Sequence, residues 1–257
     1  MEFKLFDSHC HLYMPQFDAD RAEVLARMQE AGMGAVVIGV DLASSRAALE
    51  LARQHDFLYS SVGLHPNDNP TEAFDIDAFE ALARDPKVVG IGECGLDYYR
   101  QEPSELAKAA QRARFMAHIT LAQKVCKPLI IHCRDAHVDL LAILAEEKPT
   151  VPIIIHFFTG TAELAQKYLS LGCYISFPGP ITYTDMYDEA VRIVPLDKLL
   201  IETDSPYAAP VPNRGKRNEP IMVADVARKI AIIKGIPPED VVAATTRNAQ
   251  SVFGLLG

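Results

Sequence analysis

Nothing in these 257 residues reads as a membrane span, a leader or a linker. The richest apolar run, Val151 to Phe158, contains Pro152 and His156 and is far too short to cross a bilayer. The N-terminal stretch MEFKLFDSHCHL has no basic region followed by a long apolar segment. No signal peptide is therefore expected, and the cytoplasm is the expected location. A basic excess is also missing: 25 Lys and Arg face 34 Asp and Glu, for a net charge of −9. That excludes a protein that coats nucleic acid through bulk charge. It leaves room for a nuclease, because bound metal ions or a local basic patch supply the positive charge a phosphate needs. Cysteine is sparse at five residues, which argues against a disulfide framework in an unsecreted chain of this size. There is no low-complexity tract and no Gly-rich phosphate loop after the first strand, where the chain runs instead into His9-Cys10-His11.

What recurs is a short β-branched run followed by an amphipathic stretch. Candidate strands lie at 3–6, 35–40, 57–62, 88–91, 129–131, 153–157, 173–177 and 199–201. Helical patterns cover 21–31, 45–55, 76–84, 105–124, 138–146, 162–171 and 219–234, and 238–244 and 249–256 close the chain. Strands alternating with helices imply a parallel sheet. Eight such units in one domain, residues 1–257, fit a (β/α)₈ barrel of the TIM type better than an open sheet.

Five of the eight histidines, His9, His11, His65, His132 and His156, fall where these strands end, as do Glu93 and Asp204. Closure into a barrel gathers them at one mouth, and imidazole with carboxylate is the ligand set of a hydrolytic divalent-metal site. His9 and His11 are two apart and share a face, with Cys10 turned away. The alternative, an edge strand with two solvated imidazoles, sits poorly with the buried-looking strand before them. Glu93 ends an apolar run, where an unpaired charge is costly, so it is a ligand or half of a structural ion pair. His132 ends Pro-Leu-Ile-Ile-His and His156 ends Pro-Ile-Ile-Ile-His; singly each reads as a core histidine, together as ligands. Asp204 shares a face with Glu202 and lies nearer the mouth, which makes it a metal ligand and the base. Glu202 supports catalysis from behind or is a buried carboxylate that orients a neighbour.

Arg134 falls on the same side as His132, where its fork suits an anionic substrate or pairs with a site carboxylate. His65 orients substrate, binds a further ion or is structural. Arg214, Lys216 and Arg217, in a loop soon after Asp204, are candidates for gripping phosphates or are merely solvated. Cys10, Cys94 and Cys133 are expected to face the helix layer as small apolar residues. His55, His118 and His137 read as ordinary.

Taken together, the stretches from Asp7 to Leu12 (DSHCHL), Val62 to Pro66 (VGLHP), Gly90 to Tyr99 (GIGECGLDYY), and Ile131 to Ala136 (IHCRDA) resemble the TatD family of metal-dependent deoxyribonucleases, within the amidohydrolase-like barrels. The resemblance continues through His156 to Gly160 (HFFTG), Glu202 to Tyr207 (ETDSPY), Arg214 to Pro220 (RGKRNEP) and Thr246 to Ala249 (TRNA). Phe157 stands where Cys or Ser is common, and Ala208-Ala209 where a bulkier residue is common. The resemblance implies two divalent ions per subunit, zinc, magnesium or manganese. His9, His11 and Asp204 hold one, His132 and His156 the other, and Glu93 bridges. It also implies hydrolysis of DNA, often exonucleolytic, and the acidic bulk charge favours single strands or ends as substrate. No obligate protein partner is inferred. The competing expectation is a hydrolase of the same superfamily acting on an ester, amide or small phosphoester, misacylated tRNA included, since the loops that follow the strands decide the substrate.

Overall fold

A computed structural model describes residues 3–67, 74–99 and 104–256. Eight strands form one all-parallel sheet in sequential order: β1 (Leu5–Cys10), β2 (Met33–Ile38), β3 (Leu58–Val62), β4 (Val88–Asp97), β5 (Leu129–Arg134), β6 (Ile153–Ile155), β7 (Tyr174–Phe177) and β8 (Leu199–Ile201). The helices are α1 (Arg21–Glu30), α2 (Leu42–Gln54), α3 (Ile76–Ala83), α4 (Glu105–Val125), α5 (His137–Glu147), α6 (Ala162–Ser170), α7 (Asp188–Ile193), α8 (Val223–Lys234) and α9 (Pro238–Val252). The expected barrel of alternating strands and helices is what forms. Among the described residues, no helix is long and apolar enough to cross a membrane.

Local chemistry sets the helix starts. Asp41 caps α2 through a capping box with Ser44, while Ser104 caps α4 and Thr161 caps α6, each accepting a backbone N–H. Gly235, left-handed at φ 67°, ends α8. The strands are buried on both faces, and every residue of β1, β2 and β4 is buried. This is the pattern of a parallel sheet wrapped by helices, where each large aliphatic side chain contributes roughly 1.5–3 kcal/mol.

Two local features aim the mouth. β4 pairs Ile91 with Leu129 but Cys94 with Ile131, so one extra residue is accommodated in β4. That bulge falls at Glu93 and re-aims it. The strand still continues to Asp97, six residues beyond the expected end, because Gly92 (φ 146°) and Gly95 (φ 130°) have no side chain. A Cβ at either would fall 2.3 Å or less from a carbonyl oxygen of β5. The second feature is the seam between β8 and β1. It is closed beyond the end of β8: His11 N–H donates to Ser205 O at 2.8 Å and Asp204 N–H to His9 O at 2.9 Å. Asp204 is thereby fixed against both histidines of β1.

Several expected boundaries shift. β1 lies at Leu5–Cys10 rather than 3–6, because its polar residues are paired inside the barrel. The 219–234 helix begins only at Val223, after a 3-10 turn at Pro220–Met222. The two terminal helices merge into α9, since no Gly or Pro separates them. The short α7 was not anticipated.

Candidate metal centre at the barrel mouth

His9, His11, His65, Glu93, His132, His156 and Asp204 converge at the C-terminal ends of the strands, and all but His9 border one cavity of about 640 Å³. Glu93 is the hub. Its Oε2 lies 3.3 Å from His9 Nε2, while its Oε1 lies 2.9 Å from His156 Nε2, 3.0 Å from His132 Nδ1 and 3.5 Å from His65 Nε2. The two carboxylate oxygens thus face two different sets of imidazoles. Asp204 Oδ1 is 3.2 Å from His11 Nε2 and 3.6 Å from His9 Nε2. Its left-handed backbone (φ 55°), uncommon for a residue other than glycine, is held by the seam.

The far nitrogen of most of these rings has a partner. His11 Nδ1–H donates to Ile38 O at 3.0 Å, which leaves the Nε2 lone pair facing Asp204 and the cavity. His156 Nδ1–H donates to Glu202 Oε1 at 3.3 Å, and His132 Nε2–H to Asp97 Oδ2 at 3.0 Å. Each leaves a lone pair aimed toward Glu93. These tautomers follow from the hydrogen bonds, and an outer acceptor of this kind is how a metal-binding imidazole is normally oriented. His9 differs. Both its nitrogens are buried without a hydrogen-bond partner, and its ring stacks on His156 at 3.9 Å. A buried nitrogen left unsatisfied costs roughly 1–3 kcal/mol, and a cation between His9, His11 and Glu93 would satisfy it. The donor set of neutral imidazole and carboxylate fits a divalent ion.

Most of these groups hold one another as opposite charges. Burial opposes ionisation of Glu93, but the neighbouring His156, His65 and His132 rings outweigh it and hold the carboxyl well below its usual range. Burial likewise opposes charge on His156, yet Glu93 and Glu202 raise it well above 6.5. His132 is raised by Asp97 and Glu93, and His11 by Asp204, each against burial. His9 goes the other way, to about 4, through burial and the neighbouring His156.

The other expected residues fall at several depths. Glu202 is fully buried beneath His156 and also accepts Phe157 N–H at 2.6 Å, so it orients and does not reach the cavity. His65 borders the cavity, and its Nδ1 accepts Asn67 N–H at 3.2 Å, which puts the ring proton of the neutral form on Nε2. Arg134 is exposed at the rim, with its guanidinium carbon over the Tyr99 ring, 3.5 Å from the centroid. The cationic loop behaves differently from expectation. None of Arg214, Lys216 and Arg217 borders the cavity. Arg217 grips Asp20 at 2.6 and 2.7 Å and Glu219 at 2.9 Å, so its charge is already matched. Arg214 lies over the Tyr183 ring. Cys10 and Cys94 are buried and donate to carbonyls of neighbouring strands, while Cys133 meets His137 and Tyr168 of the helix layer.

Two site carboxylates escaped the sequence reading. Asp97 was reachable, since strand alternation from Glu93 passes through 95 to 97; the expected end of the strand at 91 hid it. Asp7, pushed up to about 8 by burial, accepts His9 N–H and Thr203 N–H, the latter at 2.9 Å, and so anchors the seam. No local signal marks a partner 196 residues away.

Known proteins match this chain over nearly its whole length. Residues 6–254 match the family model described as TatD related DNase. The chain is 42% identical over 255 residues to an uncharacterized metal-dependent hydrolase, YabD, of Bacillus subtilis (strain 168), covering 97% of this chain and 98% of that one. It is 36% identical over 261 residues to the 3'-5' ssDNA/RNA exonuclease TatD of Citrobacter rodentium, covering 98% of each. Among solved structures, YJJV, a TatD homolog from Escherichia coli K12, superposes with a TM-score of 0.90 at 26% identity over 99% of each chain.

Proposed function

The chain belongs to the TatD related DNase family of metal-dependent hydrolases acting on ester bonds, and we propose that it cleaves phosphodiester bonds of DNA from the ends of single strands. The observation that carries this reading is Glu93, whose two oxygens divide between two sets of imidazoles on the floor of a cavity rimmed by Arg134. In this reading two divalent cations, zinc, magnesium or manganese, would be held, one by His9, His11 and Asp204 and the other by His132 and His156, and Glu93 would serve both. When bound, such ions make water acidic enough to attack and stabilise the charge that develops on the phosphoryl oxygens.

The remaining roles belong to the chain. Asp204 presents its carboxylate to the cavity and takes the proton of the attacking water. His65 offers Nε2–H as a donor to a phosphoryl oxygen. Arg134 binds a non-bridging oxygen pair, and its exposed position lets it meet a strand entering from solvent. Glu202 holds His156 in its tautomer. Arg214 and Lys216 are left for the backbone of a longer strand outside the cavity, while Arg217 is occupied with Asp20.

A cation-supplemented assay on end-labelled single and double strands tests the reading. Cation-dependent shortening of single strands from one end is the expected result, with a chelator abolishing it and divalent cation restoring it. Full activity after verified metal removal contradicts the mechanism. Turnover of acyl esters, such as misacylated tRNA, without cleavage of any strand assigns the site to the broader superfamily chemistry.

A further inference from the structure

Two exposed tyrosines border the mouth, and none of the chemistry above uses them. Tyr99, two residues beyond β4, is 57% exposed, and Tyr207, six beyond β8, is 48% exposed. Both line the cavity whose floor carries His11, Glu93, His132, His156 and Asp204. In an eight-stranded barrel β4 and β8 are four places apart, so the two rings approach the cavity from opposite sides.

Neither ring stands on a loose tether. Tyr99 N–H donates to Asp97 Oδ1 at 2.9 Å, and Asp97 Oδ2 accepts from His132. One carboxylate therefore fixes both the tyrosine backbone and an imidazole of the site. One face of the Tyr99 ring is covered by the Arg134 guanidinium, and its exposure leaves surface open beyond that. Tyr207 N–H donates to Asp204 O at 2.9 Å, its carbonyl accepts from Asn218 Nδ2 at 2.7 Å, and its ring meets His11 edge-on at 6.3 Å. Both aromatic surfaces are thus fixed relative to the reacting groups.

We propose that Tyr99 and Tyr207 are stacking walls for the nucleobases on either side of the scissile phosphodiester, a proposal that rests on the nuclease reading above. Arg134, held over Tyr99, offers its N–H groups to the phosphate while the ring receives the base. Stacking on tyrosine needs a base with a free face, which a strand end has and a base inside a duplex lacks. The cavity, about 640 Å³, is of the size that takes a small ligand and suits a terminal nucleotide rather than a duplex. Because every base offers a π-face, the walls select single-strandedness with little regard to sequence.

Matched single-stranded oligonucleotides, with a base or an abasic sugar at each of the last three positions, test this on the cation-loaded protein. The expected wild-type result is a loss of roughly 5- to 100-fold in kcat/KM at the abasic positions that meet the rings. Tyr99→Ala should fall to that lower level and become indifferent to the base at one position, and Tyr207→Ala at another, while Tyr99→Phe keeps the preference. Equilibrium binding of strands carrying 2-aminopurine at those positions gives a readout independent of turnover. Its fluorescence should be quenched by the wild type and Tyr99→Phe and recover with the alanine variants. Cleavage of base-bearing and abasic ends at equal rates, or alanine variants that retain the full preference, overturns the stacking walls while leaving the nuclease reading intact. Failure of the wild type to cleave any strand overturns the nuclease reading and this proposal with it.

Discussion

The two sides of the mouth hold their histidines by different means. On the seam side, the His11 ring is oriented by a backbone carbonyl, Ile38 O, and the His9 ring by no hydrogen bond of its nitrogens. On the β5–β6 side, His132 and His156 are each oriented by a carboxylate, Asp97 and Glu202. A backbone carbonyl fixes a tautomer without adding charge. A carboxylate fixes it and also makes the ring a stronger base, hence a stronger ligand and a stronger proton acceptor. The seam side is therefore set by the fold, and the β5–β6 side by replaceable side chains. Glu93 belongs to both.

The largest effect should come from removing what the two sides share. Glu93→Ala is expected to lower kcat/KM on the order of a thousandfold or more, since electrostatic groups at a reacting centre are each worth about 10²–10³. Elemental analysis should show lost metal, and circular dichroism an intact fold, because the mouth of a barrel carries function and its wall stability. Near-wild-type turnover at unchanged metal content contradicts the shared role. Next come the outer carboxylates. Asp97→Asn and Glu202→Gln should each cost about 10–100-fold in metal affinity or activity, with His9 and His11 unaffected. Isothermal titration should then show one class of cation site weakened and the other preserved. Equal weakening of both classes erases the distinction between the two sides.

Acidity should separate them as well. Protons compete with cations for imidazole, so affinity falls as pH falls through the pKa of each ligand. His132 and His156 are both raised, so both protons compete already above the ordinary imidazole range. On the seam side only His11 is raised, and His9, at about 4, stays neutral well below pH 6. The log of affinity should therefore drop with about two protons per pH unit on the β5–β6 side against about one on the seam side. Cation occupancy followed from pH 8 to pH 5.5 should show the β5–β6 side emptying first. The reverse order contradicts the assignment of the raised pKa values.

The barrel was legible because most strands carry a short apolar, often β-branched run, and the positions of the histidines were legible because they follow those runs. The length of β4 was not, because Gly92 and Gly95 look like breaks in a strand until a close neighbour is known to require them. Missing that length hid Asp97, although its spacing from Glu93 follows strand alternation. Thr203, 196 residues from Asp7, and Asp20, 197 residues from Arg217, lie beyond the reach of any local pattern. A cationic loop and a paired cationic loop have the same sequence, and only the fold distinguishes them.

That distinction gives the smallest expected effect, a comparison of Arg134 with the loop cations. Arg134 has an aromatic ring beneath it at the rim of the cavity, so a phosphate that it binds releases a counterion from the strand. Arg134→Ala should reduce the log–log salt slope of single-strand binding by about 0.7, the change expected for one lost phosphate contact. Arg217 has Asp20 and Glu219 as counter-charges within the chain, so binding a phosphate would first require breaking those pairs. Arg217→Ala should leave the slope unchanged. Replacing Lys216 and Arg217 together should change it by no more than the single contact that Lys216 supplies. Fluorescence anisotropy across a range of salt concentrations measures both variants under the same conditions. A double variant that loses more slope than Arg134→Ala makes the loop the principal phosphate grip, in which case Asp20 must release Arg217 when the strand arrives.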